Sequence, residues 1–347
     1  MKVLSRAFAM IVLLAVVSSM GVFAGNPTRS AIAATQAATM SAAGTFPRTI
    51  TDGAGNSLTI SAKPARIVSV SLGSDEILLS LVDTSRLVAV TANALDPAQS
   101  NVADAAKKIS NQLAKADPEA VLALKPDLVF ISPFTDAAVI KQLKDAKLAV
   151  FLLNAPTSIK DIEGNITAIG AATGDETRAA DMINTMESRL AAISAAVKNV
   201  KPLTVLYYAP DGYSDGPGTT IDEVITRAGG INAVAAGGIK DLFPQLSDEF
   251  VVKQDPDVIL LAGFNSYAPG FVDKFNKNPN FQTLKAIKNK RVVVANDAHI
   301  GAVSQYIVEG VADVAALLYP DAYATIATSQ ATSATAAATQ VATAAQK

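Results

Sequence analysis

The chain of 347 residues contains no cysteine, no tryptophan and a single histidine. Without cysteine it can form neither a disulfide nor a thiolate metal site, and it offers no thiol for lipid attachment. A nucleophile elbow, a P-loop and a dinucleotide-binding fingerprint are also missing, which argues against the common α/β enzymes. One histidine leaves little for acid–base chemistry. We therefore predict a non-enzymatic protein with no cofactor and no resident metal.

A strong charge of either sign is lacking as well, since the formal net charge is -2 and the isoelectric point is about 5.5. Such a chain has no basic field for nucleic acid or for an anionic membrane surface. After the N-terminal segment there is no uncharged apolar run of about 18 residues, the length that a membrane-spanning helix needs. The sequence predicts a soluble mature protein with no nucleic-acid partner.

The N-terminal segment has the pattern of an export signal. Lys2 and Arg6 precede the apolar stretch AFAMIVLLAVV, and VFAG supplies the small residues that a signal peptidase prefers. We predict a signal peptide over residues 1–24 with cleavage after Ala24, and an N-terminal membrane anchor is the alternative. Because no cysteine follows, the predicted location is periplasmic or otherwise extracytoplasmic, without a lipid anchor.

Two segments are rich in Ala, Thr and Ser and lack hydrophobic periodicity. They cover residues 25–45 and 322–347, and neither contains enough large apolar side chains to dock firmly on a folded domain. Both are predicted to be low-complexity tails that contribute nothing to the core.

Strand-like and helix-like segments alternate between these tails. Short continuous apolar runs such as RIVSV, RLVAV, DLVFIS and LAVFLLN are typical of parallel strands covered on both faces. The alternation predicts one α/β lobe over residues 46–157 and another over residues 201–321. Residues 158–200 contain no strand-like run and are predicted to form linker helices, the second from about Asp175 to Lys198. At 1.5 Å per residue that helix would span roughly 36 Å, enough to connect two lobes.

One pattern occurs twice, once in each predicted lobe. In PEAVLALKPDLVFIS, Glu119 precedes Pro126 by seven residues, and in SDEFVVKQDPDVILLA, Glu249 precedes Pro256 by the same spacing. Each predicts a helix with an acidic first turn, a Pro-Asp turn and a buried strand. Taken singly, each Glu has an ordinary explanation, because an acid in a first turn complements the helix dipole.

Five segments in the same order resemble the class III substrate-binding proteins of ABC importers, which serve ferric siderophores, haem and cobalamin. They are PARIVSVSLGSDEILLSLVDTSRLVAVT, DPEAVLALKPDLVF, TTIDEVITRAGGINAVA, LSDEFVVKQDPDVILL and FQTLKAIKNKRVVVAN, and the resemblance runs from Arg48 to Pro320. It implies two Rossmann-like α/β lobes joined by a long interlobe helix, with the ligand cleft between the lobes. It also implies a monomer that works with a permease dimer and its ATPase subunits.

The resemblance assigns a function to the repeated acids. In this family one Glu on each lobe engages basic residues of the permease, and Glu119 and Glu249 occupy those two positions. Equal charges on two lobes can meet a permease dimer of matching pseudo-symmetry and set the docking register.

Ligands of open α/β sheets bind beyond the carboxyl ends of the strands, so the residues after each predicted strand are the candidates for ligand binding. They are Ser71, Asn93 and Phe134 in the first lobe, and Tyr208, Tyr213, Phe264, Tyr267 and His299 in the second. For Phe134, packing beneath a loop is an equal alternative. Tyr213 lies in a loop rich in Gly, Asp and Pro, where it has little to pack against, which favours a functional role.

The ligand is predicted to be a ferric siderophore first, and cobalamin or haem next. A siderophore supplies its own iron ligands, so aromatic walls and a few polar groups suffice to bind it. Haem could be held by a Tyr phenolate or by His299, but the loop TANALDPAQSNVADAAKK has no Tyr where many haem-binding members place one. The alternatives are an importer protein for free zinc or manganese, which a single histidine disfavours, and an exported α/β enzyme.

Overall fold

The computed structural model describes residues 45–263 and 270–324. The predicted signal peptide and all but the edges of the two low-complexity tails lie outside the described residues. Two parallel sheets organise the described part of the chain. Each sheet defines one lobe.

The first lobe begins with an antiparallel hairpin that the sequence did not predict and continues into a five-stranded parallel sheet of order β5-β4-β3-β6-β7. Its elements are β1 (Arg48–Thr51), β2 (Ser57–Ile60), β3 (Ile67–Ser69), α1 (Leu72–Leu81), β4 (Leu87–Thr91), α2 (Ala103–Ala106), β5 (Gln112–Leu113), α3 (Pro118–Ala123), β6 (Leu128–Ile131), α4 (Ala137–Asp145) and β7 (Val150–Leu152). All four residues of β6 are buried, as expected for a strand covered by helices on both faces.

Two helices, α5 (Ile159–Thr173) and α6 (Glu176–Ala196), follow the first sheet. A reciprocal capping box between Ser158 and Asp161 begins α5, and Gly174 ends it in the left-handed conformation at φ 72°. The 21 residues of α6 span about 32 Å before the second sheet begins. No helix among the described residues combines the length and the apolar character that crossing a bilayer requires.

The second lobe contains a four-stranded parallel sheet of order β11-β10-β8-β9. Its elements are β8 (Thr204–Tyr208), α7 (Thr220–Arg227), β9 (Ile231–Asn232), α8 (Ala233–Ala236), α9 (Asp248–Gln254), β10 (Val258–Leu261), α10 (Phe271–Lys277), α11 (Lys285–Lys288), β11 (Val292–Val294), α12 (Asp297–Ile300) and α13 (Ile307–Leu318). The last helix packs against both α6 and α7.

The two sheets share one topology. The order β4-β3-β6-β7 in the first lobe corresponds to β9-β8-β10-β11 in the second, with β3 and β8 as the central strands. The helices that carry the repeated Glu, α3 and α9, therefore lead into equivalent strands, β6 and β10. The repeat in the sequence is a repeat in the fold.

The Pro-Asp turn of the repeat does more than end a helix. The preceding residue is left-handed in both lobes, at Lys125 (φ 49°) and Asp255 (φ 42°). The Asp127 carboxylate then accepts hydrogen bonds from the backbone N–H of Ala65 and of Arg66, just before β3.

In the second lobe the Asp257 carboxylate accepts hydrogen bonds from the backbone N–H and the hydroxyl of Thr204, at the start of β8. Burial raises the pKa of Asp257, but these hydrogen bonds outweigh it and leave that pKa below its usual value. Each lobe thus ties its repeated unit to its central strand through one carboxylate.

Candidate functional site

The carboxyl ends of strands from both lobes border one cavity of about 200 Å³. Its lining includes Leu72, Gly73, Glu76 and Gln99 from the first lobe, and Tyr207 and Asp297 from the second. Ligand pockets for drug-sized molecules measure about 300 to 1,000 Å³, so this cavity holds only part of such a ligand. The cavity lies between the two lobes, and we call its surface the floor.

Tyr207 and Tyr208 are consecutive on β8 and point to opposite faces of the sheet. The Tyr207 side chain lines the cavity, is only 3% exposed, and has no hydrogen bond to another described residue. Burial and the carboxylates of Asp297 and Asp215 raise the pKa of Tyr207, so its hydroxyl stays protonated and can donate to a ligand.

Tyr208, which the sequence selected, packs instead among aromatic rings of the second lobe. It stacks on Phe271 at 6.2 Å between ring centroids and meets the rings of Phe275 and Phe281 edge-on at 5.0 and 6.0 Å. Its exposure of 8% and these contacts make it a core residue with one edge on a separate cavity of the second lobe.

Asp297 provides a carboxylate at the cavity. Its Oδ1 atom accepts a hydrogen bond of 2.8 Å from the backbone N–H of Gly263. Its Oδ2 atom has no hydrogen-bond partner among the described residues. Burial raises the pKa of Asp297. The rule that ligands lie beyond strand ends could have identified Asp297, because it follows β11.

Glu76 joins the lobes beneath the cavity. Its Oε1 atom accepts hydrogen bonds from the backbone N–H and the side-chain amide of Asn101, both at 2.9 Å. Its Oε2 atom accepts from the hydroxyl of Ser304 in the second lobe at 2.5 Å. Asn101 also donates to the backbone carbonyl of Ala298. These bonds link α1 and the loop after β4 to α12 and to the segment between α12 and α13.

Close packing reinforces this contact between the lobes. A Cβ atom on Gly73 would lie 2.6 Å from Cγ2 of Val303, so a larger residue there would force the Val303 side chain to move. Burial raises the pKa of Glu76. Burial also raises the pKa of Asp75, the preceding residue, to about 7, although Thr91 donates to its carboxylate from both its backbone N–H and its hydroxyl.

Exposed aromatic side chains lie on loops of both lobes. Phe134, after β6, is 85% exposed, so it does not pack beneath a loop. In the second lobe Tyr213 is 50% exposed and Phe243 is 64% exposed. The sequence did not identify Phe243, because it lies in the loop between α8 and α9 rather than at a strand end.

Backbone hydrogen bonds hold the Phe243 loop against the Tyr213 loop. Gly216 donates to the carbonyl of Leu242 at 2.7 Å, Ser214 donates to that of Pro244, and Leu246 donates to that of Gly212. The two loops therefore present their aromatic side chains from one paired unit beyond the carboxyl end of β8.

The remaining predicted ligand residues are dispersed. Ser71 caps α1, and its hydroxyl lies 2.7 Å from that of Ser74. Asn93 is exposed on a short 3₁₀ turn, Ala92–Leu95. His299 Nδ1 lies 2.6 Å from the Asp313 carboxylate. Phe264 and Tyr267 lie outside the described residues.

No group of three or more His, Cys, Asp or Glu side chains among the described residues is arranged to hold a metal ion. A larger cavity of about 420 Å³ lies between Ser80, α6 and the N-terminal part of α13. Helix flanks line it, and the Arg189–Glu309 ion pair occupies its polar side. Because it is not at the carboxyl ends of the strands, we do not assign it as the ligand cleft.

Glu119 and Glu249 occupy equivalent positions in the two lobes. Each lies in the first turn of its helix, after a capping Asp117 or Ser247, and each is exposed. Neither carboxylate forms an ion pair or a hydrogen bond with another described residue. Both are available to an external partner.

Comparison with known proteins gives consistent results. The family model described as periplasmic binding protein matches residues 67–298. A cobalamin-binding protein of Halobacterium salinarum is 30% identical over 278 residues, which cover 78% of this chain and 73% of that protein. An uncharacterized ABC transporter substrate-binding lipoprotein of Bacillus subtilis, YvrC, is 29% identical over 80% of this chain and 87% of its own length.

A solved structure with the same fold is that of the periplasmic haem-binding protein RhuT from Roseiflexus sp. RS-1 in its apo form. It has a TM-score of 0.64 and 25% sequence identity, and the match covers 74% of this chain and 98% of that one. The similarity therefore extends over both lobes.

Proposed function

We propose, since this chain belongs to the periplasmic binding protein family, that it captures a metal chelate or a corrinoid outside the cytoplasm and delivers it to the permease of an ABC importer. The observation that carries the proposal is the cavity shared by the strand ends of two topologically equivalent lobes. A ligand there touches both lobes at once. Its binding can therefore favour one arrangement of the lobes over another.

The aromatic loops supply the walls of this site. Phe134 from the first lobe, and Tyr213 and Phe243 from the second, offer apolar surface at the rim, while Tyr207 and Asp297 offer polar groups at the floor. An apolar surface with a few convergent polar groups suits a large chelate whose metal is already coordinated. A ferric siderophore, cobalamin and haem remain the candidates, and the protein itself performs no catalytic step.

Docking on the permease is proposed to use Glu119 and Glu249. Support comes from their equivalent places in the fold, from their exposure, and from the lack of any described side chain that neutralises them. Truncating one partner of a charged pair costs about 2 to 5 kcal/mol when the pair is fully desolvated, and much less at a wet rim.

An uptake assay tests the docking role. In the Glu119→Ala/Glu249→Ala double variant we expect uptake to fall by about tenfold or more while ligand affinity stays unchanged, because the loss is in docking alone. The matched control is Asp145→Ala/Glu187→Ala, which removes two exposed helical acids elsewhere. Wild-type uptake by the first double variant would refute the docking assignment.

Spectroscopic titration tests ligand capture. The exported protein is titrated with cobalamin, haemin and ferric siderophores, and the chromophore of each ligand reports binding, since the chain has no tryptophan. We expect saturable binding of one ligand per chain by at least one of them. If none of them binds, the chelate-import proposal fails.

A further inference from the structure

Cations are missing from the loops that form the ligand face. The chain has 29 Lys and Arg residues, but none occurs in the segments that follow the main strands of the two sheets. These segments are 70–80, 92–106, 132–140, 153–159, 209–226, 262–273 and 295–305. The undescribed part of 262–273 contains no Lys or Arg in its sequence either.

Five cations directly follow these segments in sequence, and none of them lines the cavity between the lobes: Lys107, Lys141, Lys160, Arg227 and Lys274. The first four form ion pairs with acidic side chains. Lys240 precedes Asp241 in the loop that packs against Gly216. Lys274 lines the separate cavity beside Tyr208, which also contains Asp211 and Asp248. Neither lysine lines the cavity between the lobes.

Acidic groups are present where the cations are missing. The Asp297 Oδ2 atom at the floor has no hydrogen-bond partner within residues 45–263 and 270–324, and Glu76 lines the same cavity. Asp215, after β8, is largely buried, and burial raises its pKa to about 6, so it is mainly ionised at neutral pH. The only basic side chain in the sequence of these loops is that of His299, whose Nδ1 atom lies 2.6 Å from the Asp313 carboxylate.

An independent observation indicates how a ligand meets this floor. The Tyr207 hydroxyl belongs to a side chain that is 97% buried, since its exposure is 3%. It lines the cavity and has no partner among the described residues, so a ligand acceptor can bind there. Asp297 Oδ2 offers the complementary acceptor for a ligand donor. The floor therefore accepts one hydrogen bond and donates another.

We propose, on the basis of the proposed function, that the ligand is a chelate or corrinoid without net negative charge that presents both hydrogen-bond donors and acceptors to Asp297 and Tyr207. A ferric trihydroxamate cation and a neutral amide-bearing corrinoid have this chemistry. A ferric tricatecholate, molybdate and haem with ionised propionates do not, because a buried anion next to Asp297 has no cation to compensate it.

The test compares ligands of different charge on the full exported chain. The probes are ferrioxamine B, cyanocobalamin, a ferric tricatecholate, haemin and molybdate, each measured by calorimetry at low and high salt. We expect the cationic or the neutral probe to bind about 100-fold more tightly than every anionic probe, because like charges repel strongly at a water-poor site. The affinity of a bound cation should fall as salt rises.

Two variants test the assignment of Asp297. In Asp297→Asn, the side-chain carbonyl can still accept from Gly263, so the local structure is retained while the charge is lost. We expect the affinity for the cationic probe to fall about tenfold and its salt dependence to weaken, while the affinity for the neutral probe changes less than about threefold. The control Glu187→Gln removes one exposed charge outside the cavity lining and should change neither affinity.

The outcomes separate this inference from the proposed function. Tightest binding of an anionic probe would overturn the charge inference and keep the import role. An Asp297→Asn variant that behaves like Glu187→Gln would overturn the role of Asp297. If no probe binds, both the import proposal and the inference fail.

Discussion

The first helix of each lobe carries the same acidic pair in two different environments. In the first lobe Asp75 and Glu76 on α1 are fully buried, and Glu76 reaches Ser304 of the other lobe. In the second lobe Asp222 and Glu223 on α7 are half-buried, and Glu223 accepts a hydrogen bond from the backbone N–H of Ile159 at the start of α5. Asp222 accepts from the amide of Asn232 and Glu223 pairs with Arg227.

Some structural features occur in both lobes, and others occur in only one lobe. The sheet order, the Pro-Asp turn and the exposed Glu of α3 and α9 are common to both lobes. The buried acids of α1, and the paired aromatic loops of the second lobe, occur once each. One of the unshared features, Glu76, lines the cavity between the lobes.

The largest expected effect comes from the buried acid of the first lobe. The folded pKa of Asp75, about 7, exceeds its ordinary value of 3.8. Its contribution to stability is therefore fully present below pH 4 and is lost as the pH rises to about 7. The difference between the two pKa values corresponds to about 4 kcal/mol of unfolding free energy.

Urea unfolding between pH 4.5 and 7.5 measures this effect. The unfolding free energy of the wild type should fall across that window, and Asp75→Asn should flatten the dependence because Asn can keep hydrogen bonds to Thr91. Asp222→Asn, in the second lobe, is the matched control and should leave the slope as in the wild type. Equal slopes for wild type and Asp75→Asn would contradict the prediction.

A smaller effect is expected from the carboxylates of the Pro-Asp turns. Asp257→Ala should lower the unfolding free energy by about 2 kcal/mol, and Asp127→Ala by about 1 kcal/mol. The reason for the difference is exposure, since water can replace the exposed Asp127 more readily than the half-buried Asp257. Denaturant titration of both variants tests the order. A larger loss for Asp127→Ala would mean that the exposure of the carboxylate does not determine how much its hydrogen bonds stabilise the fold.

The smallest effect distinguishes the two faces of β8. Tyr207→Phe removes one hydroxyl from the cavity and should weaken binding of the chelate identified by titration by about fivefold, the size of one hydrogen bond. Tyr208→Phe removes a hydroxyl from the aromatic core of the second lobe and should leave the affinity within about twofold, because Tyr208 does not line this cavity. Calorimetric titration of both variants with that chelate decides between them. If Tyr208→Phe has the larger effect, the ligand contacts the opposite face of the sheet.

The sequence predicted the longer strands of both sheets and the long helix α6. It was less informative about the ligand site. Buried parallel strands appear as continuous apolar runs, and a long helix shows its own period, so both leave local patterns. Short pieces such as β5 and β9 have two residues each and leave no pattern. The hairpin of β1 and β2 was missed because its strands are half-exposed and only four residues long.

The site itself depended on contacts between distant segments. Rules for strand ends pointed to Phe134 and Tyr213, and they could have included Asp297. They could not reach Phe243, which is held beside Tyr213 by hydrogen bonds between two loops. Nor could they choose between Tyr207 and Tyr208, because alternation assigns the two rings to opposite faces without saying which face meets the other lobe.

By itself, the sequence determined that the chain forms two α/β lobes, that one helix-turn-strand unit occurs in both, and that the strand-end loops lack lysine and arginine. Those properties follow from local periodicity and composition. Only the tertiary structure decided that Glu76 is buried against Ser304, that Tyr207 lines the cavity and that the Phe243 loop pairs with the Tyr213 loop. These placements depend on how the lobes and loops pack, and residues far apart in sequence determine that packing.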